Sequence, residues 1–257
     1  MRIEALPFVN WIFWAGLASG TLLVVGLTER RGGTTRGYRL FMAWMLLVFA
    51  VVLLISDLAL PLGVEAAATV DLRRPLTIAF VIGCAAYLVA SVGDWPRSWL
   101  AVMTGLVGLA ALIVLAAAGG SRSAPVFAGQ LVLGALALGA VNAAMLLGHW
   151  YLVTPQLSPA PLRRMMWMLG AVLGVQGIVF LVAVIGMGSA LEGLAWLAWL
   201  RLGVGILLPL LVTALALLAS RAPSLQASTG LLYIGLALIM AGSIAGSSIT
   251  YLSGVPV

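Results

Sequence analysis

Charged residues are scarce in this chain. Asp, Glu, Lys and Arg together make up 8% of its 257 residues, whereas roughly a quarter of the residues of a soluble domain are charged. Lysine is absent, so the formal net charge of +6 comes from arginines. Because most of these arginines lie in short connections between apolar runs, where such residues orient membrane proteins, they do not indicate a nucleic-acid partner.

Cysteine and histidine occur once each, as Cys84 and His149. A single cysteine excludes an internal disulfide, and one cysteine with one histidine cannot build an iron–sulfur site or a conventional zinc site within the chain. The sequence contains no nucleophile–histidine–acid set and no phosphate-binding loop. We therefore predict no catalytic residue and no metal ligand.

Long apolar runs fill most of the chain, which is 63% hydrophobic and has a mean hydropathy of +1.20. A transmembrane helix needs about 20 apolar residues. Runs of about this length lie at 8–27, 40–62, 76–93, 99–118, 126–152, 165–187, 194–218 and 231–252. They predict an all-α, polytopic integral membrane protein with eight transmembrane helices, the first of them retained and not cleaved as a signal peptide.

The arginines are distributed unequally between the two sets of connections. Eight follow the odd-numbered helices, and four lie on the opposite face together with most of the acidic residues. The positive-inside rule counts the arginines, although Arg73 and Arg74 belong to the minority. We predict a multi-pass protein of a bacterial inner membrane, in contact with membrane lipid and with both termini outside.

The two halves of the sequence resemble each other. TGLVGLAALIVLAAAGG begins at Thr104 and TGLLYIGLALIMAGSIAGS at Thr229, an offset of 125 residues, and RLFMAWML from Arg39 matches RRMMWML from Arg163 at a similar offset. This favours two four-helix bundles of the same direction, 1–122 and 123–257, as a parallel repeat. The alternative is that Ala-, Leu- and Gly-rich helices resemble each other without duplication.

Glycines recur at the spacing of closely packed transmembrane helices. Gly16 with Gly20, and Gly242 with Gly246, each enclose three residues. In lipid, helices associate through such close backbone approach. We interpret both pairs as packing positions.

Two ionisable residues lie inside apolar runs and need a partner, water or a polar ligand. Arg201 lies about a third of the way into the seventh run, and Asp57 ends the second run at a similar depth. The two side chains either pair with each other or extend separately to the membrane interface. Both are predicted ligand-binding positions.

His149 stands in GHWYLVTPQLSPAPLRR, residues 148–164, at the cytoplasmic end of the fifth helix in the predicted topology. Three interpretations stay open: the imidazole hydrogen-bonds a loop carbonyl, exchanges a proton with a quinone headgroup, or ligates a haem b. No second histidine is present for bis-histidine ligation. Tyr151 offers a second polar group for a quinone.

The first two helices carry a family resemblance. NWIFWAGLASGTLLVVGL is a helix with a polar-aromatic start and a G-x-x-S-G core, and a basic loop and LLVFAVVLLISDLALPL follow it. The ending Asp57-Leu58-x-x-Pro61-Leu62 resembles the NrfD/PsrC family of quinone-reactive membrane subunits, over about 60 residues. The family has Gly-Arg where this chain has Ala59 and Leu60.

The resemblance implies eight helices in two four-helix bundles, docked on an iron–sulfur subunit. It also implies a quinone site near the outer ends of the first helices, onto which only Asn10 and Asp57 carry over.

The sequence therefore favours an integral membrane subunit of a bacterial electron-transfer complex. It would be quinone-reactive or quinone-adjacent, using menaquinone or ubiquinone, with iron–sulfur or cytochrome partner subunits holding the metal centres. It would be an enzyme at most as the quinone-reactive subunit of an oxidoreductase complex. A small-solute or ion transporter and a purely structural membrane subunit are the alternatives.

Overall fold

A computed structural model of the chain describes residues 6–60, 64–95, 97–117, 124–154, 157–187, 195–222 and 225–253, and within these ranges it contains helices and no strand. The elements are α1 (Leu6–Glu29), α2 (Arg36–Leu58), α3 (Val64–Val92), α4 (Ser98–Ala117), α5 (Ala124–Val153), α6 (Ala160–Met187), α7 (Ala195–Leu202), a π-turn (Gly203–Leu207), α8 (Leu208–Ala219) and α9 (Gln226–Ser253). Eight spans of the described chain are long and apolar enough to cross a membrane, and the seventh joins α7, the π-turn and α8. The predicted all-α polytopic membrane protein is confirmed.

The chain divides into two compact units. The N-terminal unit comprises residues 6–139, and the C-terminal unit begins at residue 140. The division falls within α5, so the first half of that helix belongs with α1 to α4. The predicted boundary between residues 122 and 123 rests on the sequence repeat and stays a prediction, because compactness does not test duplication.

Four helices close a ring in the N-terminal unit. α1 packs against α2 and α4, and α3 packs against the same two helices. α1 is buried along most of its length, including Trp11, Leu22 and Val25. The Thr35 hydroxyl accepts a hydrogen bond from the backbone N–H of Tyr38 at 3.3 Å and caps the start of α2, satisfying one of the donors that a helix start leaves free.

Glycines bring α1 against the first half of α5. A Cβ atom on Gly20 would overlap the backbone carbonyl of Ala135, and a Cβ on Gly139 would overlap the backbone of Gly20. Gly16 lies one turn earlier and also faces Ala135. The predicted packing role of Gly16 and Gly20 is confirmed, since only a residue without a side chain fits at position 20.

The C-terminal unit is organised around α9. This helix packs against α7, the π-turn and α8, while α6 packs against α8 and the π-turn. The second half of α5 reaches α9 where Gly148 lies against Thr229. A close backbone approach joins Gly205 of the π-turn to Gly242 of α9, which confirms the packing role predicted for Gly242.

The π-turn has a local cause in the sequence. The backbone N–H of Leu208 donates to the carbonyl of Gly203, five residues earlier. Pro209 follows and has no N–H with which to continue the regular ladder, and its ring would collide with the carbonyl four residues before it. The wider turn accommodates the proline and places Gly205 against α9.

Candidate functional site

A buried ion cluster lies where α2 ends and α3 begins; the Asp57 cluster consists of Asp57, Thr69, Arg73 and Arg74. Asp57 Oδ1 accepts a hydrogen bond from Arg73 Nε at 2.7 Å, and Oδ2 accepts one from Arg74 Nε at 3.1 Å. Arg73 also donates to the Thr69 hydroxyl at 3.1 Å. Asp57 is 0% exposed and Arg73 is 1% exposed, so this is a desolvated charge pair. The sequence left open a pair between Asp57 and Arg201, but the arginines of α3 take both carboxylate oxygens.

Trp11 covers the cluster from α1. The Arg73 guanidinium carbon lies 5.7 Å from the centroid of the Trp11 ring, within the distance at which a cation is attracted to an aromatic face. Trp11 is fully buried. Three helices of the N-terminal unit therefore meet at these charges, and their relative positions are fixed there by directional contacts.

An amide and aromatic rings lie on the exposed side of the same region. Asn10 is exposed; its Nδ2 donates to the Ser56 hydroxyl at 3.0 Å, and its Oδ1 accepts from Trp14 Nε1 at 3.2 Å. The Trp14 ring packs on Phe49 with centroids 5.5 Å apart. We call Asn10, Trp14, Phe49 and Ser56 the Asn10 surface. Because Ser56 precedes Asp57 on α2, this surface adjoins the Asp57 cluster. The two residues that the sequence resemblance singled out, Asn10 and Asp57, therefore lie in the same region.

A second ion cluster lies at the other end of the N-terminal unit and consists of Glu29, Arg39, Tyr87, Asp94 and Arg97. The Tyr87 hydroxyl donates to Glu29 Oε1 at 2.8 Å, and Arg97 Nε lies 3.5 Å from Glu29 Oε2. Asp94 Oδ1 accepts from both Arg39, at 3.1 Å, and Arg97, at 3.2 Å. We call this set the Glu29 cluster. It borders an open polar cavity of about 330 Å³.

Asp94 holds its position through an uncommon backbone conformation. Its φ angle is +54°, in the left-handed region that Asp tolerates better than most residues. Desolvation acts to raise the pKa of the Asp94 carboxyl, but the hydrogen bond from Arg97 and the charges of Arg39 and Arg97 together lower this pKa below its ordinary value. The carboxylate therefore favours its charged form between the two arginines.

The two clusters lie at opposite ends of α1. Trp11 and Glu29 are 18 residues apart on this helix, which is about 27 Å at 1.5 Å per residue. A hydrocarbon layer is about 30 Å thick. The N-terminal unit therefore carries one ion cluster near each membrane interface.

Hydroxyl groups between the clusters are engaged within their own helices. Ser19, Thr77 and Ser91 each donate to a backbone carbonyl four residues earlier. Such back-bonding satisfies a hydroxyl in an apolar core. It also means that these hydroxyls do not link the two clusters in this arrangement.

Arg201 lies in an apolar part of the C-terminal unit. It is 4% exposed, and its Nε has no hydrogen-bond partner among the described residues. Neighbouring apolar residues of the same unit form a core that includes Phe180, Leu197 and Ile206. The guanidinium reaches the Gly205–Gly242 contact, where a Cβ on Gly205 would come within 3.0 Å of Arg201 Nη1. The sequence predicted that Arg201 is a cation inside an apolar helix. The structure shows in addition that the π-turn lies beside it.

His149 faces Tyr233 of α9. The Tyr233 hydroxyl lies 3.1 Å from His149 Nδ1, and the two rings meet edge to face. Tyr151 lies on another side of α5 and donates from its hydroxyl to the Ser158 carbonyl at 2.9 Å. The aromatic hydroxyl nearest to the imidazole in this network thus belongs to Tyr233, which the sequence interpretation did not single out.

The candidate residues of the C-terminal unit do not form one site. Along α9, nine residues separate Tyr233, the partner of His149, from Gly242, the neighbour of Arg201. That is about 14 Å along the helix axis. His149 and Arg201 therefore lie at different depths, and any ligand of one is not shared directly with the other.

Grouped metal ligands and similarity to known proteins would each point to a function. Among the described residues, no three His, Cys, Asp or Glu side chains are grouped so that they could hold a metal ion. No family model, curated protein or solved structure matches this chain.

Proposed function

We propose that the chain is a quinone-reactive or quinone-adjacent membrane subunit of a bacterial electron-transfer complex, and that the Asn10 surface is its quinone-binding position. The observation that carries the proposal is an exposed amide flanked by an indole and a phenyl ring, directly beside a buried ion cluster. Menaquinone and ubiquinone are both compatible with it. Iron–sulfur or cytochrome subunits would hold the metal centres.

The chemistry of the Asn10 surface suits a flat ring that carries two carbonyl groups. Asn10 Nδ2 has a second N–H besides the one that it donates to Ser56, and a ring carbonyl can accept a hydrogen bond from it. The rings of Trp14 and Phe49 offer apolar faces for stacking. Polar groups that are few and convergent on an apolar wall are typical of small-molecule sites. Ser56 holds the amide in its present orientation.

The Asp57 cluster has a supporting part in this proposal. Its three ionised groups carry a net charge of about +1 when all are charged, and this charge lies behind the Asn10 surface. Fixed charge in a poorly hydrated region stabilises charge of the opposite sign that develops nearby. A quinone supplies the two-electron and two-proton chemistry, and the residues of this chain bind and orient it and set the local field.

The test is binding of short-chain menaquinone and ubiquinone analogues to the purified chain in nanodiscs. Asn10→Leu and Trp14→Leu are expected to weaken binding at least about tenfold, the effect of losing about 1.4 kcal/mol. Trp44→Leu is the matched control, because Trp44 is 59% exposed on α2 and lies outside the Asn10 surface. Equal affinity in all three variants, or no binding by the wild type, would contradict the proposal.

Partner subunits are tested by gentle purification from the native membrane. A quinone-linked subunit is expected to co-purify with proteins that show iron–sulfur or haem absorption. Purification as a single colourless chain would favour the structural or transport alternatives.

His149 and Tyr151 remain proposed ligand positions in the C-terminal unit. Since Tyr233 engages Nδ1, Nε2 is the ring nitrogen available to a quinone or, less favoured, to haem b. His149→Phe in the assembled complex should lower quinone-dependent turnover at least about tenfold if the imidazole exchanges protons. It should remove a b-type absorption band if the imidazole ligates haem. If neither change occurs, the role of His149 is structural.

Arg201 favours transport of a small anion as the second candidate function. A buried guanidinium with an unpartnered Nε lies beside the π-turn, and π-turns inside helices are frequent at functional sites. Anion flux into liposomes should be lost in Arg201→Leu and kept in the control Arg36→Gln, whose guanidinium is exposed. Absence of flux in the wild type would remove this candidate.

A further inference from the structure

An apolar groove runs along the surface of the C-terminal unit between α6 and α8. Its volume is about 520 Å³, within the range of about 300–1,000 Å³ typical of ligand sites. Trp167 and Gly170 line it from α6, Leu210 and Ala214 line it from α8, and Arg221 closes one end. The groove is thus a mostly apolar surface cavity with an arginine in its lining.

Helix packing does not require the empty space at Gly170. A Cβ atom there would come no closer than 4.0 Å to the side chain of Thr213, which is an ordinary contact. At Gly205, by contrast, a Cβ would come within 2.7 Å of the Gly242 backbone. A larger residue at position 170 would fill the groove without forcing the helices apart.

The polar end of the groove has a second guanidinium. Arg163, near the start of α6, donates from Nε to the Ser220 hydroxyl at 3.2 Å and from Nη2 to the Ser220 carbonyl at 2.6 Å. Ser220 directly precedes Arg221 and caps the end of α8. The contact holds the starting end of α6 and the final end of α8 together and places two arginines at one end of the groove.

This half of the chain has almost no acidic residue to neutralise its arginines. Residues 140–257 contain four arginines and one acid, Glu192, which lies outside the described residues. Apart from Glu192, residues 140–257 contain no acidic side chain, so the described part of this unit supplies no side-chain carboxylate to Arg163 or Arg221.

The surroundings of the groove favour one kind of occupant. In the most apolar 18 residues of each of the spans Ala160–Val184 and Ala195–Ala219, only 28% of the residues are buried, so in a membrane the other residues are open to acyl chains. Trp167, which is 67% exposed, lies one turn from Arg163, and tryptophan marks the headgroup level of a bilayer. An occupant with an apolar chain and an anionic head is complementary to both parts.

We propose that the groove between α6 and α8 binds an anionic glycerophospholipid, with an acyl chain along Gly170 and Ala214 and the headgroup phosphate at Arg221, beside Arg163. Arginine pairs well with phosphate because its planar donors match phosphate oxygens. The site differs from bulk lipid contact because the groove shape selects the chain and the guanidinium groups select the head. It does not depend on the quinone proposal.

The experiment is native mass spectrometry of the full chain after delipidation and titration with phosphatidylglycerol or phosphatidylcholine of identical chains. The wild type is expected to retain one phosphatidylglycerol in preference to phosphatidylcholine. Arg221→Gln should lower this preference about fivefold, the effect of one arginine near anionic headgroups. Gly170→Leu should reduce retention of both lipids, because it fills the space of the chain.

The matched control is Gly230→Leu, at an exposed glycine of α9 where an added Cβ atom would have no neighbour within 4 Å outside its own helix. It should retain phosphatidylglycerol as the wild type does. Equal retention of the two lipids by the wild type would overturn the proposal, as would unchanged retention in Gly170→Leu. Displacement of the bound lipid by a neutral quinone analogue, insensitive to Arg221→Gln, would assign the groove to a quinone tail and equally overturn it.

Discussion

Replacement of Asp57 by asparagine tests the buried ion cluster most directly. Both carboxylate oxygens accept hydrogen bonds from arginines, but asparagine has one oxygen and one NH₂ group. The NH₂ group would face a guanidinium, donor against donor, and the negative charge would be lost. Arg73 is 1% exposed, so its guanidinium would remain buried without a counterion.

The expected loss in the free energy of unfolding is about 3–5 kcal/mol, the typical effect of removing one partner from a buried ion pair. Most of it comes from Arg73. The Arg74 side chain is 32% exposed and can turn toward water, so its share is that of a surface pair, about 0–1 kcal/mol. Arg74→Gln should accordingly destabilise the protein much less than Asp57→Asn does.

Cys84 provides the assay. It is the only cysteine of the chain and is fully buried in the N-terminal unit, so a thiol-reactive dye labels it only after unfolding. Labelling against temperature or denaturant in detergent then reports the stability of the unit that contains Asp57. The control is Asp71→Asn, which removes an exposed acid from α3 and should change stability by no more than about 0.5 kcal/mol.

A double substitution separates the ion pair from general damage. Asp57→Leu leaves Arg73 unpaired, and adding Arg73→Met removes that unpaired charge. The double variant should therefore be more stable than Asp57→Leu alone, with a coupling energy of about 0.5–3 kcal/mol. If Asp57→Asn were as stable as Asp71→Asn, or if the double variant showed only additive losses, the ion-pair reasoning would be refuted.

Three further predictions concern the interface clusters, the packing and the topology. Asp94→Asn should destabilise the protein near neutral pH but not at acidic pH. The folded-state pKa of the Asp94 carboxyl lies below its ordinary value of 3.8, so the carboxylate stabilises the fold above pH 3.8 and loses this effect as the pH falls through the folded-state pKa. The measurement is the difference in stability between the variant and the wild type as a function of pH. Gly20→Ala should lower the free energy of unfolding by about 1–3 kcal/mol through overpacking against Ala135. Gly129→Ala should not lower it, because an added Cβ atom there would have no neighbour within 4 Å outside its own helix. Labelling of Cys84 on heating measures both variants. Because the arginine distribution predicts that both termini lie outside, cysteines placed at positions 36 and 163 should be shielded from an impermeant maleimide in intact cells, and one at position 65 should be labelled. The reverse pattern would invert the predicted topology.

The eight spans were predictable from the sequence because apolar length alone decides whether a helix crosses a bilayer. The packing of Gly16 and Gly20 was predictable for a similar reason, since their spacing is local to one helix. Neither inference requires knowledge of which helices touch. The bounds differ mainly at the helix ends, where polar residues such as Arg36 still belong to the helix.

The partner of Asp57 could have been inferred but was not. α2 and α3 are joined by a short connection, so the end of α2 and the start of α3 must lie at the same end of a helical hairpin. Arg73 and Arg74 are then the nearest cations in the sequence to Asp57. The sequence interpretation used these two arginines only to predict the membrane orientation, and it therefore missed their pairing with Asp57.

The Glu29 cluster could not be inferred in the same way. It requires α1 to pack against α4, which closes the ring, and Arg97 lies 68 positions after Glu29. Apolar helices of similar composition carry no signal that distinguishes one such neighbour from another. The contact between His149 of α5 and Tyr233 of α9 could not be inferred for the same reason, because no signal in the sequence makes these two helices neighbours.

The charges of the two units have different consequences. Residues 6–139 contain eight arginines and five acids, and the structure pairs Arg39, Arg73, Arg74 and Arg97 with carboxylates of the same unit. Residues 140–257 contain four arginines and one acid, so this part of the chain carries an excess of positive charge. Anionic lipids are concentrated in the cytoplasmic leaflet of a membrane, and the predicted topology places Arg163 and Arg221 at that leaflet. The orientation and the lipid site are therefore linked through the same arginines: if labelling put position 163 outside, the groove would open to the leaflet that is poorer in its proposed ligand.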